Sequence, residues 1–467
     1  MTKVLFIQDM LFEFIGPMQI SALLKKEGHE CDLLILDEEK DIIKKVKKIN
    51  PDIIAFSVMT GSHRILLDFA SKIKKEMNVL TVFGGPHATF YNDLIEEDGV
   101  DIICIGEGEY PILDLCNNLK KDITKIDNLW IKKDGKIIKN KIRPLIDNLN
   151  ELPFPDRNIY YKRYKYLKIL PTKKFMTGRG CPYNCSFCFN HELKKIYAGN
   201  GRYVRKRKVD NVIEEILILK KQGDMKVVRF SDDTFTLYKN WLIEFLEEYK
   251  KKVFLPFTCL ARANEIDELV VRKLKEAGCI NVFIGLESGN DRIRNSVLRK
   301  NLSKKDIVNA ARLFRHYKIK FGTYNMFGIP TESINEALET VKINSKIKTD
   351  FPFSTVLQPY PGTDISRFAI EKELLPEDFC PNDLTLMNTR SQIKLESKKE
   401  IMNLHRLFFY GVKLPFLLPL IRLLIKVPEN KLYHLMFQAS VAWTKKGSFG
   451  LDFFDTLKLA WKLKSKL

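Results

Sequence analysis

Cys181, Cys185 and Cys188 stand in the run Gly180–Phe189 with the spacing C-x3-C-x2-C, and no fourth cysteine follows nearby. Thiolates are metal ligands, and structural zinc closes its tetrahedron with four donors. Three sulfurs on a four-iron cluster leave one iron open to another ligand. The spacing therefore points to a metal centre with a vacant corner where a small molecule can bind. The alternatives are three core cysteines without a metal, or a zinc site completed by His191.

Such a centre has to be held beside other polar groups. From about residue 172, short apolar runs alternate with helical stretches: Phe175–Thr177, Lys226–Phe230, Leu255–Cys259, Asn281–Leu286, Lys320–Asn325 and Phe353–Leu357. Ser303 with Asp306 and Ser333 with Glu336 have the spacing of capping boxes at helix starts. Six strand–helix repeats fall short of the eight that close a barrel, so the predicted sheet is curved and open. Ligands of parallel α/β folds sit at the carboxyl ends of the strands. Those ends carry the cysteines, then Asp232 and Asp233, then Arg262, then Glu287 and Ser288 between Gly285 and Gly289, then Asn325 to Gly328. The glycines flanking Glu287 and Ser288 predict a close backbone approach.

Residues 1 to about 120 repeat the alternation with Val4–Ile7, Asp32–Leu36, Ile53–Ser57, Leu80–Phe83 and Asp101–Ile105, which predicts a doubly wound parallel sheet. Its strand ends carry Ser57, Met59 and Thr60, then Gly84, Gly85, Pro86 and His87, then Gly106, Glu107, Gly108 and Glu109. None of these is a dinucleotide or Walker loop. Paired glycines there would let a flat ligand reach the backbone. Asp134-Gly135 predicts a hairpin turn, and Pro153 and Pro155 predict a break. The expected domains are an N-terminal sheet domain at 1–135, a linker at 136–168, an open barrel at 169–390 and a helical segment at 391–467.

The last segment is apolar, but Arg422, Lys426, Pro415, Pro419 and Pro428 interrupt it. It falls short of the roughly 20 apolar residues of a spanning helix. It is predicted to be a helical lid, with peripheral membrane contact as the alternative. A net charge of +20, from 78 basic and 58 acidic residues, is scattered and lacks the interleaved aromatics of single-strand binders, so no nucleic-acid partner is expected. Nine cysteines in 467 residues do not make a disulfide framework. Thiolates that hold iron must stay reduced, which predicts a cytoplasmic location, and the apolar run after Met1 is too short for a signal peptide.

The cysteine run resembles the cluster loop of radical S-adenosylmethionine (SAM) enzymes, with Phe187 at that motif's aromatic position. The resemblance implies a partial (β/α)6 barrel and a [4Fe-4S] cluster whose open iron is chelated by SAM. It implies reductive cleavage of SAM to methionine and a 5′-deoxyadenosyl radical, with a reduced flavodoxin or ferredoxin-type donor. On the same basis Glu287 would take the ribose diol, and Phe187 with the turn at Gly328 would shelve the adenine. Asp232, Asp233, Ser288 and Asn325 would add further SAM contacts. The N-terminal half resembles the cobalamin-binding domain of one subgroup, which includes radical SAM methyltransferases and the anaerobic magnesium-protoporphyrin ester cyclase. The D-x-H-x-x-G motif is absent after the first strand, where the loop reads Asp9 to Gly16, as is usual in that subgroup. The implied activity is cobalamin-dependent methylation of an unactivated carbon on a small-molecule or lipid substrate. The alternatives are radical cyclisation without methyl transfer, tRNA modification, and a non-catalytic cluster- or cobalamin-bearing sensor.

Overall fold

The computed structural model describes residues 1–223, 225–384 and 390–448. The five β-branched runs of the N-terminal half form parallel strands: β1 Lys3–Gln8, β2 Glu30–Ile35, β3 Ile53–Ser57, β4 Leu80–Gly84 and β5 Ile102–Cys104. Both faces of this sheet are covered, so the strands are apolar throughout. Val4 to Ile7 and Ile53 to Phe56 are each at most 7 % exposed. The order is β2-β1-β3-β4-β5. It reverses between β1 and β3, and the crevice outside those carboxyl ends is where a doubly wound sheet takes a ligand.

The hairpin of β6 Leu129–Lys133 and β7 Lys136–Lys139 extends the same sheet antiparallel to β5. Its turn places Asp134 at φ 50° and Gly135 at φ 71°, the two left-handed residues that match strand twist. The boundary expected at 135 therefore falls inside a turn. The stretch 136–168, expected as a linker, falls within the first unit. The first unit runs Met1–Ile169 and includes Leu193–Tyr203 and Cys380–Leu386. Buried tyrosines fasten this stretch to the sheet. Tyr160 donates to Gln8 Oε1 at 2.6 Å, and Tyr164 donates to Glu39 Oε1 at 2.7 Å while accepting from Ile35 N at 2.8 Å.

The second unit comprises Leu170–Glu192, Val204–Phe379 and Met387–Leu467. Its main sheet starts at β8 Thr172–Phe175. A short ladder, β9 Gly178–Arg179 against β10 Arg205–Lys206, brackets the cysteine loop. The sheet continues with β11 Val227–Phe230, β12 Phe257–Ala261, β13 Cys279–Glu287, β14 Lys320–Phe327 and β15 Phe351–Val356. The six strands lie in chain order, all parallel, with β8 and β15 at the edges. This is the open wall that six repeats predict. Both capping boxes form. Ser303 accepts from Asp306 N and Ser333 from Glu336 N, and each acidic side chain reaches back to the cap amide.

Alternation sorts the strand side chains between two faces. Phe321, Thr323 and Phe327 of β14 meet Phe314, Asn344 and Phe408 of the covering helices. Tyr324 points the other way, with Phe283 at 5.9 Å and Phe353 at 5.5 Å between ring centres. Gly322 makes room for that cluster, since a Cβ there would lie 2.5 Å from the Phe283 ring. The helix Lys398–Lys413 lies over β14 and β15, where Leu404, Leu407, Phe408 and Val412 share a core with Phe327, Val341 and Val356. The boundary expected at 390 adjoins residues 385–389, and residues 449–467 of the expected lid lie outside the described residues. Among the described residues no helix is long and apolar enough to cross a membrane.

Candidate functional site

The cysteine loop leaves β9 through Gly180, whose φ of 86° turns the chain before Cys181. Cys185 is buried, Cys181 and Cys188 are half-buried, and all are free thiols. Burial, with smaller contributions from Asp233 and the other two sulfurs, pushes the Cys181 thiol up to about 11. Cys188 is also raised, by burial first and then by Cys185 and Asp233. The three sulfurs thus share one locus, where a bound cation must displace protons. Three thiol donors, with no fourth cysteine in the loop, fit a four-iron cluster with one open corner. His191, the candidate fourth zinc ligand, turns Nε2 to Asp364 Oδ2 at 3.0 Å. His191, Glu192 and Asp364 have the spacing of a metal site. However, Arg299 and Arg367 already neutralise Asp364, and Arg367 also pairs with Glu192.

Residues between the cysteines fix the loop. The Arg262 guanidinium lies 3.7 Å from the centre of the Tyr183 ring. The Tyr183 hydroxyl donates to Glu265 Oε1 at 2.7 Å, and Thr234 and Thr236 donate to Glu265 Oε2 at 2.8 and 2.6 Å. Ser186 donates from Oγ to Val297 O at 2.7 Å and from N to Leu298 O at 3.0 Å, and accepts from Ile365 N at 2.9 Å. The loop is therefore tied to segments following β12, β13 and β15. Sequence reasoning passed over Tyr183 and Ser186, because the spacing rule treats them as fillers.

A second chain of contacts runs to the end of β13. Lys300 Nζ sits 6.0 Å from the Phe187 ring centre and donates to Glu287 Oε1 at 2.8 Å. Arg262 holds the Lys300 carbonyl. Glu287 takes φ 64° where the β13–β14 register shifts. A left-handed residue with a side chain costs ~1–3 kcal/mol and persists where its surroundings demand it. The strain turns the carboxylate toward Lys300, and Oε2 accepts no hydrogen bond among the described residues. Lys300 was missed because a basic pair after a helix reads as solvated surface.

The flanking glycines serve this packing. A Cβ at Gly285 would lie 2.3 Å from Glu287 Oε1 and 2.5 Å from Lys300 Nζ, and one at Gly289 would lie 2.3 Å from Glu339 O.

Other residues expected to contact SAM have partners within the protein. Asp232 accepts from Thr177 N at 3.0 Å, from Thr177 Oγ1 at 2.5 Å and from Lys206 Nζ at 3.1 Å, so its carboxylate braces the chain before β9. Asp233 remains beside the thiols, its carboxyl raised by burial and hydrogen-bonded to Asn190. Ser288 is fully buried, and its hydroxyl accepts from Asn290 N at 3.3 Å. Asn325 lies on the helix-covered parity of β14, bonded to Thr323, Asn344 and the Phe353 carbonyl. Gly328 N donates to Glu332 Oε2 at 2.8 Å and Ile329 N at 3.3 Å, so this turn has no free amide there for adenine. Burial pushes Glu332 up to about 8, and its Oε1 is buried without a hydrogen-bond partner.

In the first unit the loops after β3 and β4 close on each other. Val58 N donates to Gly84 O at 2.9 Å and His87 N to Val58 O at 3.1 Å, which brings Ser57, Met59 and Thr60 against Gly85, Pro86 and His87. Gly85, at φ 95°, has its free side filled by the Val58 backbone at 3.1 Å. His87 is buried and uncharged, pushed down to about 3 by burial and by His63, on which it stacks at 4.1 Å. Its Nδ1 meets Thr60 Oγ1 at 3.0 Å. At Gly106 a Cβ would lie 1.9 Å from the Tyr197 hydroxyl, which accepts from Glu107 N at 2.9 Å. Glu107 Oε2 accepts from Ile146 N, Gly108 abuts Ile20, and Glu109 is buried. The Cβ side of Gly85, Gly106 and Gly108 thus meets protein atoms. In the loops after β1 and β3 the apolar side chains of Phe12 and Met59 are 44 % and 38 % exposed. Exposed apolar groups of this kind suit the flat face of a corrinoid.

Residues 175–343 match the Radical SAM superfamily and residues 12–115 the B12 binding domain. An uncharacterized methyltransferase of Pyrococcus horikoshii is 32 % identical over 374 residues, covering 77 % of this chain and 79 % of that protein. The anaerobic magnesium-protoporphyrin IX monomethyl ester cyclase of Rubrivivax gelatinosus is 26 % identical, covering 74 % of this chain and 66 % of that one. The solved structure of the cobalamin-dependent SAM radical enzyme OxsB, with aqua-cobalamin and SAM bound, superposes with a TM-score of 0.70 at 17 % identity, covering 100 % of this chain and 75 % of that chain. That likeness shows the fold. The family's cofactors are a [4Fe-4S] cluster, SAM and cobalamin. The chain belongs to the radical SAM superfamily, as an enzyme that carries an N-terminal B12 binding domain.

Proposed function

We propose that the protein methylates a carbon of an apolar small molecule. In this reading Cys181, Cys185 and Cys188 hold the cluster, and Phe187, Asp233 and Glu287 contact SAM. The observation that carries the proposal is the Phe187–Lys300–Glu287 chain, which joins the cysteine loop to the end of β13. When bound, the cluster supplies the electron that breaks a carbon–sulfur bond of SAM, and the corrinoid supplies a methyl group.

The side chains place and orient. Tyr183 and Ser186 keep the three sulfurs at a fixed spacing, as a preformed site requires. Lys300 pins one oxygen of Glu287 and leaves Oε2 to accept from a diol. Phe187 offers a flat apolar face. Phe283, Tyr324 and Phe353 give the face away from the helices an aromatic lining for an apolar acceptor. In the first unit Ser57, Met59, Thr60, Pro86 and His87 border the corrinoid rim. A charge of +20 attracts an acidic donor such as a reduced flavodoxin or ferredoxin.

The test is an anaerobic assay of reconstituted protein with methyl-deuterated SAM and apolar extracts. A product that carries the label supports the proposal. The ester cyclase relative carries a second reading, ring closure without methyl transfer. Unlabelled product formed with SAM consumption would favour that second reading.

A further inference from the structure

The helix Lys398–Lys413 buries its apolar side, but the segments after it leave another apolar side uncovered. Leu420 and Leu423, 50 % and 64 % exposed, share one face of the helix Leu418–Leu424, and Phe416, in the 3-10 turn before it, is 74 % exposed, while Ile421 and Ile425 turn inward at 3 %. On the helix Lys431–Ser448, Leu432 and Leu435 are each 62 % and Trp443 is 68 % exposed, again on one face. Tyr433, Ser440 and Thr444 are buried on the other side. A soluble surface scatters such residues singly, whereas several large exposed apolar side chains gathered on neighbouring segments of the chain mark an interaction site.

The charge pattern names the occupant. Between Ile401 and Leu451, Glu429 is the only acidic residue, against Arg406, Lys413, Arg422, Lys426, Lys431, Lys445 and Lys446. Glu429 is itself paired with Arg406 and His434. Arg422, Lys426 and Lys431 are exposed beside the apolar stripes. Among the described residues no helix is both long and apolar enough to span, and apolar residues flanked by basic ones are then the pattern of a helix lying in a bilayer interface.

We propose that this face docks the protein on an anionic lipid surface. The stripes enter the boundary between headgroups and acyl chains, and Arg422, Lys426 and Lys431 meet lipid phosphates. The docking is independent of the reaction catalysed, and it would present an apolar acceptor where such molecules partition.

The test is flotation of the full-length reconstituted protein with vesicles of phosphatidylcholine alone or mixed with phosphatidylglycerol. The expected result is binding to the mixed vesicles, weakened by salt as exposed charges are screened. A Phe416→Ser/Leu423→Ser/Leu435→Ser variant should bind about tenfold more weakly or worse, and Arg422→Gln/Lys426→Gln should remove the preference for anionic lipid. Unchanged circular dichroism and iron loading show that the variants remain folded. Equal binding to both vesicle types, or undiminished binding by the triple variant, would overturn the proposal. A dimer that the triple substitution dissolves, with no vesicle binding, would assign the face to a second copy instead.

Discussion

Glu287 and Asp232 are both acidic residues at strand ends, yet their surroundings give them different work. Glu287 is strained, paired once and left with one oxygen open. Asp232 has its carboxylate filled by Thr177 and Lys206. Glu287→Gln should weaken SAM binding about tenfold, the loss of one charged hydrogen bond, measured by calorimetry on cluster-loaded protein. Asp232→Asn should leave that affinity within a factor of two or so and instead cost about 3 kcal/mol of stability, as breaking a buried ion pair does.

Glu332 offers a pH test. Its folded value lies near 8, above the ordinary 4.5. The stability it contributes is complete below 4.5 and is lost as pH rises through 8. Unfolding free energies from urea titrations should therefore fall between those limits by up to about 1.4 kcal/mol per pH unit. Glu332→Gln, which stays neutral and keeps an acceptor for Gly328 N, should flatten that fall. The cysteines were legible at this scale because metal ligation fixes their spacing. For Ser288 and Asn325 the sequence is less informative, because proximity to a strand end does not say which face a side chain takes.

At the scale of elements, local rules read well where they are short-range. The capping boxes at Ser303 and Ser333 form as spacing dictates. Alanine at either serine should cost ~1 kcal/mol, read by chemical denaturation. The Asp134-Gly135 turn forms for the same local reason. The first strand of the second sheet was placed about one turn late. Lys173 and Lys174 disguise β8, although Lys173 is 1 % exposed. The stretch around Pro153 and Pro155 read as a linker because tyrosine hydroxyls bonding across the sheet leave no periodic signal. Gly106→Ala should strain the Tyr197 contact and destabilise the chain by roughly 1–3 kcal/mol, whereas Gly135→Ala, with open space around it, should cost less.

At the scale of the whole molecule, the parallel order of both sheets was legible because alternation of apolar runs and helices leaves few topologies. The discontinuous membership of the first unit was not. Leu193–Tyr203 and Cys380–Leu386 join it from distant parts of the chain, and no composition shift marks them. A fragment ending at residue 135 divides the β6–β7 hairpin at its turn, so it should be recovered aggregated or unfolded by circular dichroism.

The central claim is that three sulfurs on one loop hold iron with a corner open to SAM. It is tested most directly by anaerobic reconstitution with iron and sulfide, followed by iron analysis and assay of SAM cleavage under a strong reductant. The account requires about four irons per chain and formation of 5′-deoxyadenosine or methylated product, with both lost in the Cys181/Cys185/Cys188→Ala variant. A variant that keeps its iron and still cleaves SAM, or a native chain that binds zinc and no iron, would contradict it.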